Sequence, residues 1–377
     1  MENVSEQLSL KEKFTAFVDT HVAPNAANID KKQHIPTDII KNLAQEGYLG
    51  SMLPSQYGGM GLDMVTIGVL NEEVGRGCSS VRSLLTVHGM VALAIYRWGT
   101  QKQRNYWLPK LAEGSVIGAF GLTEPQVGSD AKSIQTKAIL DGNDYVLLNG
   151  VKKWITMGQI ADVFLIFAMC EEGPAAFIVE RNTPGVEVNQ INSMLGVRGS
   201  MLGEIKFSHC RIPKENLIGR IGTGLSHIAL SCLDYGRYTI AWGCVGLAQA
   251  CLEHSLHYAR TRKQFGSAIG ENQLIQKMLT EMVVQVKAAR LLCINAGELK
   301  DEGSPDSIME TWNAKYYASS MAVKVANDAV QIHGANGCSG DYPVERYFRD
   351  AKINEIIEGT SQMHEVMIAN HALGRII

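Results

Sequence analysis

The chain has 377 residues and a formal net charge of -3; 46% of its residues are hydrophobic and 19% charged. That length holds two or three packing units in one globular protein, and the absence of any basic surplus leaves no electrostatic footprint for a nucleic-acid partner. The polar segment from Met1 to Lys11 lacks the charged-then-apolar pattern of a secretory leader. The longest apolar run, about Val163 to Cys170, is far too short to cross a bilayer, and the terminal Gly-Arg-Ile-Ile carries no prenylation box. The expectation is a cytoplasmic protein with no membrane or nucleic-acid partner. The eight cysteines are scattered with no Cys-x-x-Cys pair, as expected of reduced, mostly buried thiols.

In chain order, residues 1–116 read as helical. Leu8, Phe14, Phe17 and Val18 recur at helical spacing across Val4 to Val22. Pro36 opens a helix over Thr37 to Glu46, and Met64 to Val74 and Leu84 to Arg97 follow. Over 117–222 the texture changes. Asp141-Gly142 and Asn149-Gly150 are tight-turn dipeptides, and Tyr145 to Leu148, Val163 to Met169, Ala175 to Val179 and Glu204 to Phe207 are strand-like. Such short strands predict an antiparallel barrel or sandwich. Over 223–377 long helices return: Ser226 to Arg262, Glu271 to Asp301, Asp306 to His333 and Ser361 to about Leu373, enough for a helical bundle.

Five segments are candidates for chemistry. Phe120-Gly121-Leu122-Thr123-Glu124-Pro125, continuing to Gly128-Ser129-Asp130, is a small-residue loop whose free N–H and hydroxyl groups suit a ring edge or a phosphate, or form a turn without a ligand. Trp154 can wall in a planar cofactor to which Thr156 donates, or can be one buried strand residue. Arg260-Thr261-Arg262-Lys263-Gln264-Phe265-Gly266 ends a helix with cations that suit a pyrophosphate or simply the helix C-terminus. Gln331-Ile332-His333-Gly334 ends another helix at a glycine that permits close backbone approach. In Ile356-Ile357-Glu358-Gly359-Thr360-Ser361 an acidic residue stands between apolar neighbours and a glycine, placed either to act as a base of raised pKa or to lie at the surface before a helix cap. Glu253-His254 and His257 do not spell a zinc-protease motif, no metal-ligand grouping stands out, and neither a Gly-x-Ser-x-Gly elbow nor a Gly-x-Gly-x-x-Gly dinucleotide loop occurs.

Taken together, Leu122-Thr123-Glu124-Pro125 with Gly128-Ser129-Asp130, Arg262-Lys263-Gln264-Phe265-Gly266 and Glu358-Gly359-Thr360 resemble the acyl-CoA dehydrogenase family in order and spacing, over nearly the whole chain. The resemblance implies an α+β fold: an N-terminal helical domain (1–116), a middle antiparallel β-barrel domain (117–222) and a C-terminal four-helix bundle (223–377), assembled as a homo-oligomer, usually a tetramer. It implies FAD as cofactor, with Phe120, Leu122, Thr123, Ser129, Trp154 and Thr156 along the flavin. Arg262, Phe265, Gln331 and Gly334 would reach the FAD of a neighbouring subunit, and Thr360 and Gln362 would lie near the adenosine. It places Arg237, with Tyr235 and Gly359, on the substrate side, and it makes Glu358 the base. The family's alternative base position, just before Arg237, is here Gly236. In the implied mechanism Glu358 takes the α proton of an acyl thioester while a hydride leaves the β carbon for the flavin.

Within the family, Leu85-Thr86-Val87-His88, Arg97-Trp98-Gly99 and Thr123 through Lys132 are similar to dehydrogenases that act on carrier-protein thioesters in polyketide and nonribosomal peptide pathways. These include enzymes that make hydroxymalonyl and aminomalonyl extender units from glyceryl or seryl carrier proteins. The expectation is therefore a small polar acyl group on an acyl carrier protein, with an electron-accepting protein as a further partner. Tyr235 and Trp242 add bulk to the bundle helix, either shortening the pocket or filling the core. The alternatives are a short- or branched-chain acyl-CoA dehydrogenase of catabolism, an acyl-CoA oxidase, and a non-catalytic scaffold of the same fold.

Overall fold

The computed structural model describes residues 2–142 and 145–375. Its first part holds six helices: α1 (Glu2–Phe17), α2 (Ala26–Lys32), α3 (Thr37–Gln45), α4 (Met64–Gly77), α5 (Ser79–Trp98) and α6 (Gln101–Ala112). Local chemistry sets their starts. The Asp63 carboxylate accepts from the Thr66 amide at 2.6 Å to cap α4. Thr100 and Gln103 form a reciprocal capping box at α6. α5 is buried from Ser79 to Ile95, so it is the central strut of this part and not a surface helix.

The strands are β1 (Gly118–Gly121), β2 (Lys137–Asp141), β3 (Tyr145–Ile155), β4 (Val163–Cys170), β5 (Gly173–Glu180), β6 (Val186–Gln190), β7 (Gly203–Pro213) and β8 (Leu217–Ile218). They form one sheet in the order β6-β7-β3-β2-β4-β5-β8, with β1 on β4. The expected antiparallel barrel is corrected here. β1 and β2 both pair with β4 in parallel, and the sheet is mixed and open, with β6 and β8 at its edges. Turn dipeptides report hairpins between sequence neighbours, whereas the parallel pairs join segments brought together by long connections. Gly142, at φ +69°, turns the chain after β2 as expected. Asn149-Gly150, however, is no turn. It lies inside β3 at a register shift against β7, where a side chain at Gly150 would meet Thr136 Oγ1 at 2.4 Å, so the glycine serves a bulge.

α7 (Leu230–Thr261) follows, then a hairpin of β9 (Lys263–Gln264) and β10 (Ser267–Ala268). The remaining helices are α8 (Gln273–Asp301), α9 (Ser307–His333), α10 (Val344–Asn354) and α11 (Ser361–Ala372). α7, 32 residues and about 48 Å long, packs on α4, α5, α8 and α9. Backbone approaches backbone there: a side chain at Gly246 would fall 1.9 Å from the Glu72 carbonyl oxygen. Trp242 seats in the notch left by Gly68 of α4 and is sealed in the bundle core, so its bulk goes to packing. The parts are also tied by polar contacts. Arg349 of α10 pairs with Asp30 of α2, and buried Asp350 accepts from the Val197 amide before β7.

Candidate active site

Glu358 lies in the turn between α10 and α11, with φ +55° followed by Gly359 at +99°. A left-handed conformation at a non-glycine residue costs free energy and persists only where its surroundings hold it. Two buried cations do so. Arg237 Nε of α7 donates to the Glu358 carbonyl at 3.0 Å, and Lys315 Nζ of α9 donates to the Gly359 carbonyl at 2.7 Å. Thr360 then caps α11, its hydroxyl accepting from the Met363 amide at 3.3 Å, so it fulfils the helix-start signal read from the sequence.

The turn aims the Glu358 carboxylate at α7. A Cβ built on Gly236 would lie 2.7 Å from Oε2 and 2.8 Å from Cδ, so the acid occupies the space that glycine vacates. Oε2 is sealed from solvent with no hydrogen-bond partner. Burial pushes this carboxyl up to about 7, against the opposing pull of Arg237, Lys315 and Arg82. Burial likewise pulls Lys315 down to about 8, and the Arg237 guanidinium sits 4.2 Å over the Trp312 ring. His364 packs on Trp312 and its Nδ1 bonds the Thr360 carbonyl at 2.9 Å. Burial, with Lys315 nearby, lowers it to about 4, so it is neutral at pH 7.

On the sheet side, a buried ion pair fixes the small-residue loop. Lys152 Nζ donates to Glu124 Oε1 at 2.7 Å and to the Leu122 carbonyl at 3.1 Å. Glu124 also accepts from the Gln135 and Thr136 amides and the Thr136 hydroxyl. The Lys153 amide bonds the Thr123 carbonyl at 2.8 Å, which sets Thr123 beside Trp154. Trp154, at φ +63° in the bulged end of β3, leaves 47% of its surface exposed, so it is not the buried strand residue that was the alternative. Phe120 rests on Phe167 with centroids 5.1 Å apart, Leu122 is buried, Thr123 and Thr156 are half-buried and Ser129 is exposed.

The remaining candidates lie elsewhere. Arg262 is 25 residues beyond Arg237 along α7, about 37 Å away, and Phe265 is fully exposed at φ +50°. Tyr258 stacks on His333 at 4.2 Å, and this joins the ends of α7 and α9. Arg262, Phe265, Gln331 and Gly334 thus share one exposed end of the bundle, out of reach of Glu358 in the same chain. Gln362 is exposed on α11, Gly359 is half-buried, and Tyr235 is buried with its hydroxyl in the space that Gly89 leaves open. Among the described residues no cluster of His, Cys, Asp or Glu has the arrangement of a metal site, and no helix is long and apolar enough to cross a membrane.

Three family models cover this architecture: the acyl-CoA dehydrogenase N-terminal domain over residues 4–115, the middle domain over 119–210 and the C-terminal domain over 222–373. An acyl-CoA dehydrogenase of Bacillus subtilis is 40% identical over 99% of this chain and 100% of its own length. The chain belongs to the acyl-CoA dehydrogenase family. It is also similar to a glutaryl-CoA dehydrogenase of Mycobacterium smegmatis in complex with FADH2, with a TM-score of 0.94 and 33% identity over 99% of this chain and 95% of that one. Two further structures are FkbI, for biosynthesis of a methoxymalonyl extender unit (TM-score 0.88, 32% identity, 97% of this chain and 99% of that one), and the prolyl acyl carrier protein oxidase AnaB (TM-score 0.93, 32% identity, 98% and 99%).

Acyl-CoA dehydrogenases are FAD-dependent oxidoreductases acting on acyl thioesters. The chain's own surface fits that cofactor: a half-exposed indole at Trp154 in β3, next to a loop that carries Thr123 and the exposed Ser129 and is anchored by Glu124 and Lys152. Sequence reasoning missed Lys315, Arg82, His364 and the Glu124–Lys152 pair as parts of the site. Lys315 alone carried a signal: it interrupts the inward, apolar face of α9 defined by Thr311, Ala314, Ala318 and Ala322.

Proposed function

We propose that this acyl-CoA dehydrogenase family member oxidises a small polar acyl group held as a thioester on an acyl carrier protein, with Glu358 as the base. The observation that carries the reading is the Glu358 carboxylate: seated against Gly236, one oxygen sealed without a partner, and raised to about 7. A carboxylate of that basicity is matched to proton abstraction near neutral pH.

In this reading Arg237 and Lys315 hold the turn so that the acid faces the acyl chain. The Glu358 amide donates to the thioester oxygen and stabilises the charge that develops as the proton leaves. Bound FAD supplies the two-electron acceptor for the hydride from the adjacent carbon. For a seryl- or glyceryl-derived semialdehyde, the hydrated C3 gives up the hydride while Glu358 takes a hydroxyl proton, leaving a 2-amino- or 2-hydroxymalonyl acid. Phe120, Leu122, Thr123, Ser129, Trp154 and Thr156 would hold the flavin. Arg262, Phe265, Gln331 and Gly334 would serve a second subunit's cofactor, which accounts for their distance from Glu358 and makes a homo-oligomer part of the proposal. Support for the carrier-protein class comes from the likeness to FkbI and to the prolyl carrier-protein oxidase. A second reading, an acyl-CoA dehydrogenase of fatty-acid or amino-acid catabolism with an electron-transferring partner protein, is favoured by the Bacillus subtilis relative.

The experiment is anaerobic mixing of the yellow holoenzyme with thioesters. The proposal expects loss of flavin absorbance with a small polar acyl carrier protein and none with octanoyl-CoA. Rapid bleaching by octanoyl-CoA would overturn it in favour of the catabolic reading.

A further inference from the structure

Among the described residues, nine non-glycine residues hold a positive φ, and five of them fall in two short segments: Trp154 (+63°), Met157 (+61°), Ser193 (+62°), Val197 (+50°) and Met201 (+49°). A left-handed conformation is costly at each of these, most of all at a β-branched residue such as Val197. Strain gathered in this way points to function where the surroundings hold it in place. Here the two segments hold each other. The Met157 amide donates to the Ser200 carbonyl at 2.9 Å, and the Gln159 amide to the Met201 carbonyl at 3.1 Å. From the sheet side, Arg181 donates to the carbonyls of Gly158, Gln159 and Ala161.

The loop over 193–201 is in turn seated on α10. The Asp350 carboxylate accepts from the Val197 amide, and Arg349 Nη1 donates to the Leu195 carbonyl at 3.2 Å. A side chain at Gly196 would fall 2.3 Å from the Arg349 carbonyl oxygen, so loop and helix meet backbone to backbone. Asp350 is 4% exposed, and among the described residues no cation contacts it. Arg349 is engaged by Asp30 and Glu345, and Arg346 acts on Asp350 only through space. A buried carboxylate with no cation in contact is costly; the bond this one makes holds the amide of the β-branched residue in the strained loop.

That bond joins two halves of the site. α10 ends at Asn354, four residues before Glu358, so Asp350 and the base stand on one helix and the turn that leaves it. The loop, through its bond to Met157, reaches the bulged end of β3 that presents Trp154 and Thr156.

We propose that Asp350 is a positioning residue, which fixes the wall formed by Trp154 and Thr156 relative to the helix that delivers Glu358. This rests on the reading of that wall as the seat of the flavin and of Glu358 as the base.

The first readout is the visible circular dichroism of bound FAD, which needs neither a thioester nor Glu358. Asp350→Ala removes the acceptor. Gly196→Ala keeps Asp350 and wedges the loop off α10, with room to yield outward because Leu195 beside it is exposed. Asp350→Asn retains an oxygen for the Val197 amide. In FAD-loaded protein well below its melting temperature, both alanine variants should alter the flavin spectrum and raise the dissociation constant of FAD about 10-fold, the worth of one hydrogen bond to a charged group. Asp350→Asn should restore both. A purely structural Asp350 would lower the melting temperature and leave the flavin spectrum of the folded holoenzyme as in the wild type, and that result overturns the proposal, as does a failure of Asp350→Asn to restore it. Should Asp350→Ala not fold, Gly196→Ala decides. In the mixing experiment above, the thioester that bleaches the wild type should bleach Asp350→Ala about 10- to 100-fold more slowly at saturation, with its own dissociation constant unchanged; a wild-type rate overturns the proposal. Wild-type protein that takes up no FAD overturns the reading of the wall and this proposal with it, whereas an unaltered flavin spectrum in the alanine variants overturns this proposal alone.

Discussion

Replacing Gly236 by alanine would separate the position of the acid from its existence. The new methyl carbon falls 2.7 Å from Glu358 Oε2 and 3.2 Å from Oε1, where ordinary contact begins near 3.4 Å, so the carboxylate must retreat by about 0.7 Å. It is the end of a flexible side chain, and the helix itself gains, since alanine exceeds glycine in an α-helix by about 1 kcal/mol. Thermal stability should therefore hold or rise slightly. The rate should fall, because a displacement approaching 1 Å in a reacting group costs up to about 100-fold. We expect a 10- to 100-fold slower bleaching of the flavin in anaerobic stopped flow with any productive thioester, with unchanged FAD content and melting temperature. A variant that reduces its flavin at the wild-type rate would refute the placement of the base. One that loses rate only because it loses FAD or unfolds would refute the claim that the contact is local.

Further outcomes follow from the same geometry. A base whose carboxyl is raised to about 7 works when deprotonated, so kcat/KM should climb with pH through about 7 and level off above it. Because that value exceeds the unfolded one of 4.5, the protonated acid favours folding below 4.5 and this advantage is lost as pH rises through 7. Glu358→Gln should consequently gain stability over the wild type between pH 5 and 8.5, as followed by urea titration. Lys152→Met strands the buried Glu124 carboxylate and should cost about 3–5 kcal/mol, with weaker FAD retention as the loop over 122–136 loosens; an unchanged urea midpoint would contradict this account. Phe265→Ala removes a fully exposed ring. It should leave monomer stability unaltered while lowering FAD occupancy in gel filtration if the ring serves a second subunit, and full occupancy would count against that role.

Much of the fold was legible because its signals are local. Helical periodicity marked α4, α5, α7, α8 and α9, and the Thr360-Ser361 cap marked α11, since capping and amphipathic faces depend on residues three or four apart. α6 went unmarked although Thr100 and Gln103 spell its cap, because Pro109 argues against a helix when read alone. The sheet was drawn as antiparallel because turn dipeptides see only neighbouring strands, and Asn149-Gly150 was read as a turn because a bulge glycine and a turn glycine look alike until Thr136 is seen packed against one of them.

The sequence by itself determined the layout of helix, strand and helix and the motif that names Glu358, because both reside in short stretches of chain. Only the tertiary structure decided what surrounds that carboxylate. Arg82, Arg237 and Lys315 come from three helices, and along the chain only the interrupted apolar face at Lys315 and the family resemblance at Arg237 set any of them apart from surface cations. Burial and charge, which set the basicity of an acid, are properties of groups brought together by packing, and they do not exist along the chain.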